Sequence, residues 1–495
     1  MTSLARLAAI LFAVVLTIAP GAHAQGAQLS WGPCESEDLQ HAGAQCADLP
    51  VPLDYGAPAA GSIDIAISRI PARDPARRRG ILLFNPGGPG VPGLDFPALM
   101  LPTLRGVADR YDLIGFDPRL VGDSEGISCG PLPEGWWQWW TGFDRAGFEE
   151  LAGFASDYAG RCHAPAGNAR LLPYASTRNV ARDMNAIRAA LGEPKLSYYG
   201  VSYGSYLGAV LTEMFGSRVD RIVLDSAVDP NVGPEHQDAA MGPALEHGLD
   251  EWGAWAARRH DRFRLGRSAA EVRATVRRLI ARAQMGPILI GDSQIDHRFL
   301  PFFMMTMLGD EALDAVLAQS IRDLVDAAGG MPVTPTPELE GFMAAISANI
   351  PEAAAQASAQ VAIYCAETNW SHDVEYWWRK LSGVRATQPI FGPLTNAITP
   401  CAFWPTGARE PLTRVRNGVP TLIVQARGDV NTTWEGAVKM HEALTGSRLV
   451  SVPRRIHGVY SRRSDGQQPI PCIEDLVNGY LRTGALPPRD TSCPA

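Results

Sequence analysis

The chain has no long Lys/Arg block, no C-x-x-C pair and, beyond its first two dozen residues, no apolar run long enough to span a bilayer. The first absence argues against nucleic acid or an anionic membrane surface as a partner, in keeping with a formal net charge of -8. The nearest basic run, at residues 77–79, reads as a solvated loop. The second absence, with no histidine at ligand spacing beside a cysteine pair, argues against a zinc site. No internal repeat is evident.

What is present is the composition of a globular enzyme: 495 residues, 46% hydrophobic and 19% charged, enough to bury one large core or two smaller ones. Arg6, an apolar run over 7–18, Pro20 and the small-residue site Ala22-His23-Ala24 read as a signal peptide over 1–24, cut before Gln25. The expected location is therefore secreted or periplasmic. Eight cysteines fit that compartment, and neighbour pairing is the expectation: Cys34 with Cys46, Cys129 with Cys162, Cys365 with Cys401 and Cys472 with Cys493.

Apolar alternation over 63–70, stopped by Pro71, predicts an early edge strand. Short apolar runs bounded by Gly, Pro or Asp predict further strands over 81–84, 112–116, 196–199, 221–224, 421–426 and 448–452. Helical periods lie between them, as in Val180-Met184-Ile187-Leu191 and Tyr206-Val210-Met214. This is the alternation of an α/β fold, a mostly parallel sheet with helices on both faces. The rhythm breaks after Asp229 and resumes near Val419, with helical and Pro-containing stretches and no strand rhythm between. The expected organisation is a core over 25–230, an inserted, mainly helical cap over 231–410, and the rest of the core over 411–495. Trp136, Trp137, Trp139 and Trp140 are dense enough to line a cleft, although core or cap packing is the preferred reading.

The strand over 196–199 runs into Gly200-Val201-Ser202-Tyr203-Gly204, and a helical pattern follows. This is G-x-S-x-G at a strand-to-helix turn, where a serine sits strained and exposed at the sheet edge and glycines two residues away on each side let the backbone close in. A serine hydroxyl needs a base, and the base needs an acid to hold its tautomer. Asp429 follows the strand over 421–426 and is preferred to Asp225 and Asp229 as that acid. His457, on a loop after the strand over 448–452, is preferred to His441, which lies in an amphipathic helical stretch. The oxyanion donors should be the N–H of Tyr203 and that of Gly87 or Gly88, in Asn85-Pro86-Gly87-Gly88-Pro89-Gly90. Gly88-Pro89-Gly90-Val91-Pro92-Gly93 also matches a dinucleotide fingerprint, with Asp117 at ribose distance. Pro89 and Pro92, however, lack the N–H groups a phosphate cradle uses.

With these residues in view, the chain resembles the exported tripeptidyl aminopeptidases and their proline iminopeptidase-like relatives among the serine peptidases of the α/β-hydrolase fold. The likeness is strongest at residues 85–90, at Asp117-Pro118-Arg119, at 176–230, at Gly428-Asp429, and from His457-Gly458 through Cys472 to Cys493. It implies Ser202, Asp429 and His457 as the triad and Gly87 and Gly88 as the oxyanion loop; acyl transfer by such a triad requires no metal or organic cofactor. Leu120 and Ser226 stand where the family has glycine, which predicts a different local backbone near the sheet edge.

The expected reaction is acyl transfer on a peptide with a free N-terminus, with an esterase or lipase as the alternative and a non-catalytic binding protein third. An aminopeptidase must neutralise an ammonium group in a desolvated pocket. Glu367, beside Cys365 in a segment resembling a cap stretch of the family, is the expected carboxylate, with Glu246 and Glu251 in reserve.

Overall fold

In a computed structural model, which describes residues 29–132, 144–348, 350–461 and 468–494, the apolar runs become strands of one sheet. The expected leader over 1–24 and the four tryptophans at 136, 137, 139 and 140 lie outside the described residues. In chain order the strands are β1 (Gly32–Pro33), β2 (Gln45–Pro52), β3 (Ser62–Ile70), β4 (Gly80–Asn85), β5 (Tyr111–Phe116), β6 (Leu196–Val201) and β7 (Val219–Asp225). A separate hairpin of β8 (Ile288–Ile290) and β9 (Ser293–Ile295) follows, then β10 (Thr421–Ala426), β11 (Ser447–Val452) and β12 (Thr491–Ser492). The large sheet has the order β1-β2-β3-β5-β4-β6-β7-β10-β11-β12. It is antiparallel from β1 to the β3–β5 pair and parallel from β5 to β12.

Alternate residues of the central strands divide between two cores. Ile81, Leu83, Tyr198, Ile222, Leu224 and Ile423 face a cluster that includes residues of the helices Thr177–Ala190 and Tyr203–Phe215. Leu82, Phe84, Tyr199, Val223, Leu422 and Val424 face another, with the helices Phe96–Met100 and Pro471–Thr483. Both faces are covered, which is why these strands read as unbroken apolar runs rather than as alternations. The chain steps from β4 to β5 on one side and returns to place β6 on the other. The strand order thus reverses at β4, and the carboxyl ends of β4 and β6 form the crevice where open α/β sheets bind ligands.

Three sequence expectations need correction. The strand over 63–70 is not an edge, because β3 pairs with β2 on one side and β5 on the other. β2 escaped notice because Pro50 and Pro52 demote it as a strand. They are tolerated because β1 reaches only Gln45 and Cys46, leaving that side of β2 open at the prolines. Among its described residues, the segment between β7 and β10 adds no strand to the large sheet but does contain the β8–β9 hairpin, too short to show a period. Otherwise it is helical, from Pro234–Ala257 to Gly392–Thr395. Leu245, Trp252, Phe299 and Ile321 belong to a core of its own, whereas Ala359 and Ile363 of the helix Pro351–Glu367 join the core that includes β6 and β7.

The Asp117-Pro118-Arg119 motif is structural. Arg119 donates through Nε and Nη2 to the two carboxylate oxygens of Asp183, at 2.7 and 2.6 Å, and both side chains are buried. A fork-to-fork pair of this kind ties the end of β5 to the helix Thr177–Ala190.

The four disulfides are Cys34–Cys46, Cys129–Cys162, Cys365–Cys401 and Cys472–Cys493. The last closes the loop that carries the helix Pro471–Thr483 to β12, so it pins the outer edge of the parallel sheet. Closing a loop of that length stabilises the fold by about 3 kcal/mol. Peptide mapping of unreduced protein should recover the two cysteines linked, and Cys472→Ser/Cys493→Ser should lower the unfolding midpoint correspondingly; an unchanged midpoint would contradict this.

Candidate active site

β6 ends at Val201, and the helix Tyr203–Phe215 begins two residues later. Between them Ser202 has φ 58° and ψ -121°, a left-handed conformation unusual for a residue with a Cβ. Its N–H still donates to the Asp225 carbonyl at 2.9 Å, so strand pairing continues into the turn. The turn closes only because Gly200 is bare: a Cβ there would lie 2.4 Å from the Gly204 carbonyl oxygen. Ser202 is thereby held at the head of a helix, whose dipole favours negative charge developing beside it.

The Nδ1 of His457 lies 2.9 Å from Oδ2 and 3.1 Å from Oδ1 of Asp429. The Asp429 carboxylate is itself held by its own loop, accepting the N–H groups of Asn431 and Thr432 on Oδ1 and the Thr432 hydroxyl on Oδ2. Burial works against the charged imidazole, but Asp429, assisted by Asp225, outweighs it and holds the His457 pKa above the ordinary histidine value. Nε2 is left for a proton on the cavity side.

The rival residues have other work. Asp225 spends its carboxylate on the N–H groups of Val459 and Tyr460 and on the Tyr199 hydroxyl. Asp229 accepts from the Asn231 N–H in its own turn. His441 lies on the helix Trp434–Ala443, with Nδ1 2.6 Å from the Ser447 hydroxyl and Nε2 3.2 Å from Asp490. Asp117 accepts N–H groups from Gly93, Leu94 and Asp123, which commits it to holding a turn rather than to a ribose.

In the loop after β4, the N–H of Gly87 is already donated to the buried Oδ1 of Asn85, at 3.0 Å. Gly87 instead lets the loop approach the serine turn, since a Cβ would meet the Val201 carbonyl oxygen at 2.6 Å and the Ser202 Cβ at 3.0 Å. Of the residues expected to supply the oxyanion donors, Gly88 and Tyr203 line the same cavity as Ser202, whereas the Gly87 N–H is taken up by Asn85. The Tyr203 N–H belongs to the first turn of its helix, where backbone donors lack an internal partner.

Ser202 and His457 open into a cavity of about 370 Å³. Its wall on the sheet side comes from Pro86, Gly88, Tyr203 and the Asn431-Thr432 turn. The opposite wall comes from the inserted segment, through Gln237, Asp238, Met241, Met305, Gln360, Tyr364, Leu394 and Thr395. Glu367 is not among these residues. It is buried beneath the cavity, accepting the Thr177 N–H at the start of one helix and the Tyr206 hydroxyl on another. Glu246 is likewise committed, to Arg273 and to the N–H groups of Ile390 and Phe391. Glu251 lines a different cavity, with Arg427 and Arg454. The expectation that Glu367 faces the substrate is therefore corrected: its position follows from capping a buried helix end, which a sequence does not distinguish from facing a pocket.

Asp238 is the carboxylate that the sequence reading missed. It sits in the first turns of the helix Pro234–Ala257, and among the described residues no hydrogen bond or ion pair engages it. The nearby Lys380 is already paired with Glu235 at 2.8 Å. Burial raises the Asp238 pKa to about 7; Lys380 opposes that rise and Glu235 adds to it. The available signal was its position one turn before Met241 on a helix opening with Pro234, but an Asp there also reads as a solvated face.

Leu120 and Ser226, which occupy glycine positions of the resembling family, have φ 71° and 54°. Both take a left-handed backbone that glycine would adopt freely, at roughly 1–2 kcal/mol each.

Two family models match the chain. The one described as TAP-like protein covers residues 388–493, and the one described as alpha/beta hydrolase fold covers 80–322. Among characterised relatives, a tripeptidyl aminopeptidase of Streptomyces coelicolor is 33% identical, over 95% of this chain and 87% of its own. The serine protease Hip1 of Mycobacterium tuberculosis is 28% identical over 94% of this chain and 91% of its own. Carboxylesterase B of the same organism is 27% identical over 96% and 91%.

Proposed function

The chain belongs to the tripeptidyl aminopeptidase-like serine peptidases of the α/β-hydrolase fold, and from that premise we propose that it is an exported aminopeptidase that releases short peptides or residues from free N-termini. Ser202 attacks the scissile carbonyl while His457 takes its proton, and Asp429 stabilises the imidazolium so formed. The N–H groups of Gly88 and Tyr203 receive the oxyanion. His457 then passes the proton to the departing amine, and water, activated by the same histidine, releases the N-terminal fragment from Ser202. The residues of 231–410 act as a cap, supplying the wall opposite the nucleophile. Export is supported by the four disulfides, which persist in oxidising compartments. No helix among the described residues is long and apolar enough to cross a membrane.

The observation that carries the peptidase reading over the esterase one is Asp238: an unpaired carboxylate in the cavity of Ser202 and His457. An ester needs no such group. An ammonium does, because a cation entering a partly desolvated cavity is costly unless a fixed anion meets it.

The pH dependence tests this reading. His457 must be neutral to act, and its pKa lies above the ordinary value, so kcat/KM for any substrate falls with acid through a limb above about 6.5. For a peptide, Asp238 must also be ionised, which steepens the acid limb near pH 7. The peptide's own α-amino group loses its proton above about pH 8, which adds an alkaline limb. A bell-shaped profile for a peptide amide and a plateau for a short-chain p-nitrophenyl ester are expected. Superimposable profiles would favour the esterase.

A further inference from the structure

Two consecutive residues at the end of β7 touch both halves of the proposed machinery. The Asp225 carbonyl accepts the Ser202 N–H at 2.9 Å. The Asp225 carboxylate accepts the N–H groups of Val459 on Oδ1 and Tyr460 on Oδ2, each at 2.8 Å, and the Tyr199 hydroxyl at 2.7 Å. The Ser226 hydroxyl accepts the Gly458 N–H at 2.8 Å, and the Ser226 N–H donates to the Val424 carbonyl of β10 at 3.0 Å. Three successive N–H groups directly after His457 are thus held by the side chains of two adjacent residues, the first of which also holds the Ser202 N–H through its carbonyl. Both side chains are wholly buried.

We propose that Asp225-Ser226 is a positioning element that fixes the loop of His457 in the frame of Ser202, so that base and nucleophile are set by one rigid strand end rather than by two independent loops. The proposal rests on Ser202 and His457 being nucleophile and base. Neither Asp225 nor Ser226 lines the cavity of Ser202, so neither acts on the substrate.

A glycine at 226 would satisfy the left-handed backbone, φ 54°, without strain. What glycine lacks is the hydroxyl that receives the Gly458 N–H. The serine therefore accepts a conformational cost in exchange for a fixed histidine loop, and this gives the proposal a test in which stability and turnover separate. An N–H that has lost its acceptor frees the loop, but the relief of the left-handed strain acts the other way on folding.

The measurement is kcat, KM, the rate of fluorophosphonate labelling and Tm for Ser226→Gly, Ser226→Ala and Asp225→Asn, beside Ser202→Ala. Asn at 225 offers one carbonyl oxygen where Asp offers two, so one of the Val459 and Tyr460 N–H groups loses its acceptor. In Ser226→Gly, kcat and the labelling rate should fall together by about tenfold, with KM within twofold and Tm within a few degrees of the parent. In Asp225→Asn the same two rates should fall by about a hundredfold. Should Asp225→Asn fail to fold, the glycine variant carries the test alone. Unchanged kcat and labelling in Ser226→Gly would overturn the proposal while leaving the triad intact, as would a loss of kcat that simply follows Tm across the three variants. Turnover persisting in Ser202→Ala would overturn the triad and this proposal with it.

Discussion

Replacing Ser202 by alanine should abolish both peptide turnover and labelling by a fluorophosphonate, with kcat falling by a factor on the order of 10⁶. The size of the effect follows from the arrangement. Ser202 stands at a left-handed turn between β6 and its helix, in one cavity with His457, whose Nδ1 is held by Asp429. On the proposed mechanism the variant retains the oxyanion donors and the binding surface but has nothing to form the acyl-enzyme. The substitution removes one oxygen from a turn whose backbone is held by the Asp225 carbonyl and by Gly200, so Tm should stay within a degree or two. Stoichiometric labelling that persists in Ser202→Ala would sink the assignment.

The second large effect concerns Asp238. In Asp238→Asn, kcat/KM for a peptide amide with a free amino group should fall by about 10²–10³, the cost of leaving a desolvated cation without its partner. Turnover of a short-chain p-nitrophenyl ester should stay within threefold, because an ester presents no cation to that wall. The change is isosteric and removes a charge that burial disfavours more than Lys380 favours it, so it should not harm folding. Glu367→Gln gives the contrast. That carboxylate is buried on the Thr177 N–H and the Tyr206 hydroxyl, and its loss should affect peptide and ester alike through the shape of the site. An Asp238→Asn variant that lost peptide and ester turnover equally would show the aspartate to be structural.

The contrast between Asp238 and Glu367 also marks where reading the sequence stops. β4, β5, β6, β7, β10 and β11 were legible because burial on both faces leaves continuous apolar runs. The serine turn was legible because its geometry demands glycines at fixed offsets. β1 and β12 were not, being two residues long, and β2 was hidden by prolines that its open edge tolerates. Carboxylates are harder still. Glu367 and Asp238 both lie on helices of the inserted segment, and no local pattern says which one points into a cavity. That depends on how the helices Pro234–Ala257 and Pro351–Glu367 sit against the sheet edge, a matter of packing between distant segments. Gly87 shows the same limit on a smaller scale: the loop was identifiable, but the capture of its N–H by Asn85 was not.

On the proposed function, the site cleaves peptides measured from a free amino terminus. Its most direct test is to incubate the protein with one peptide of mixed sequence and with its N-acetylated twin, and to identify by mass spectrometry the first fragment released from each. A short N-terminal fragment is expected from the free peptide and almost none from the acetylated one, since acetylation removes the charge that Asp238 would receive. Equal cleavage of both peptides, or cleavage of neither alongside rapid ester hydrolysis, would contradict it.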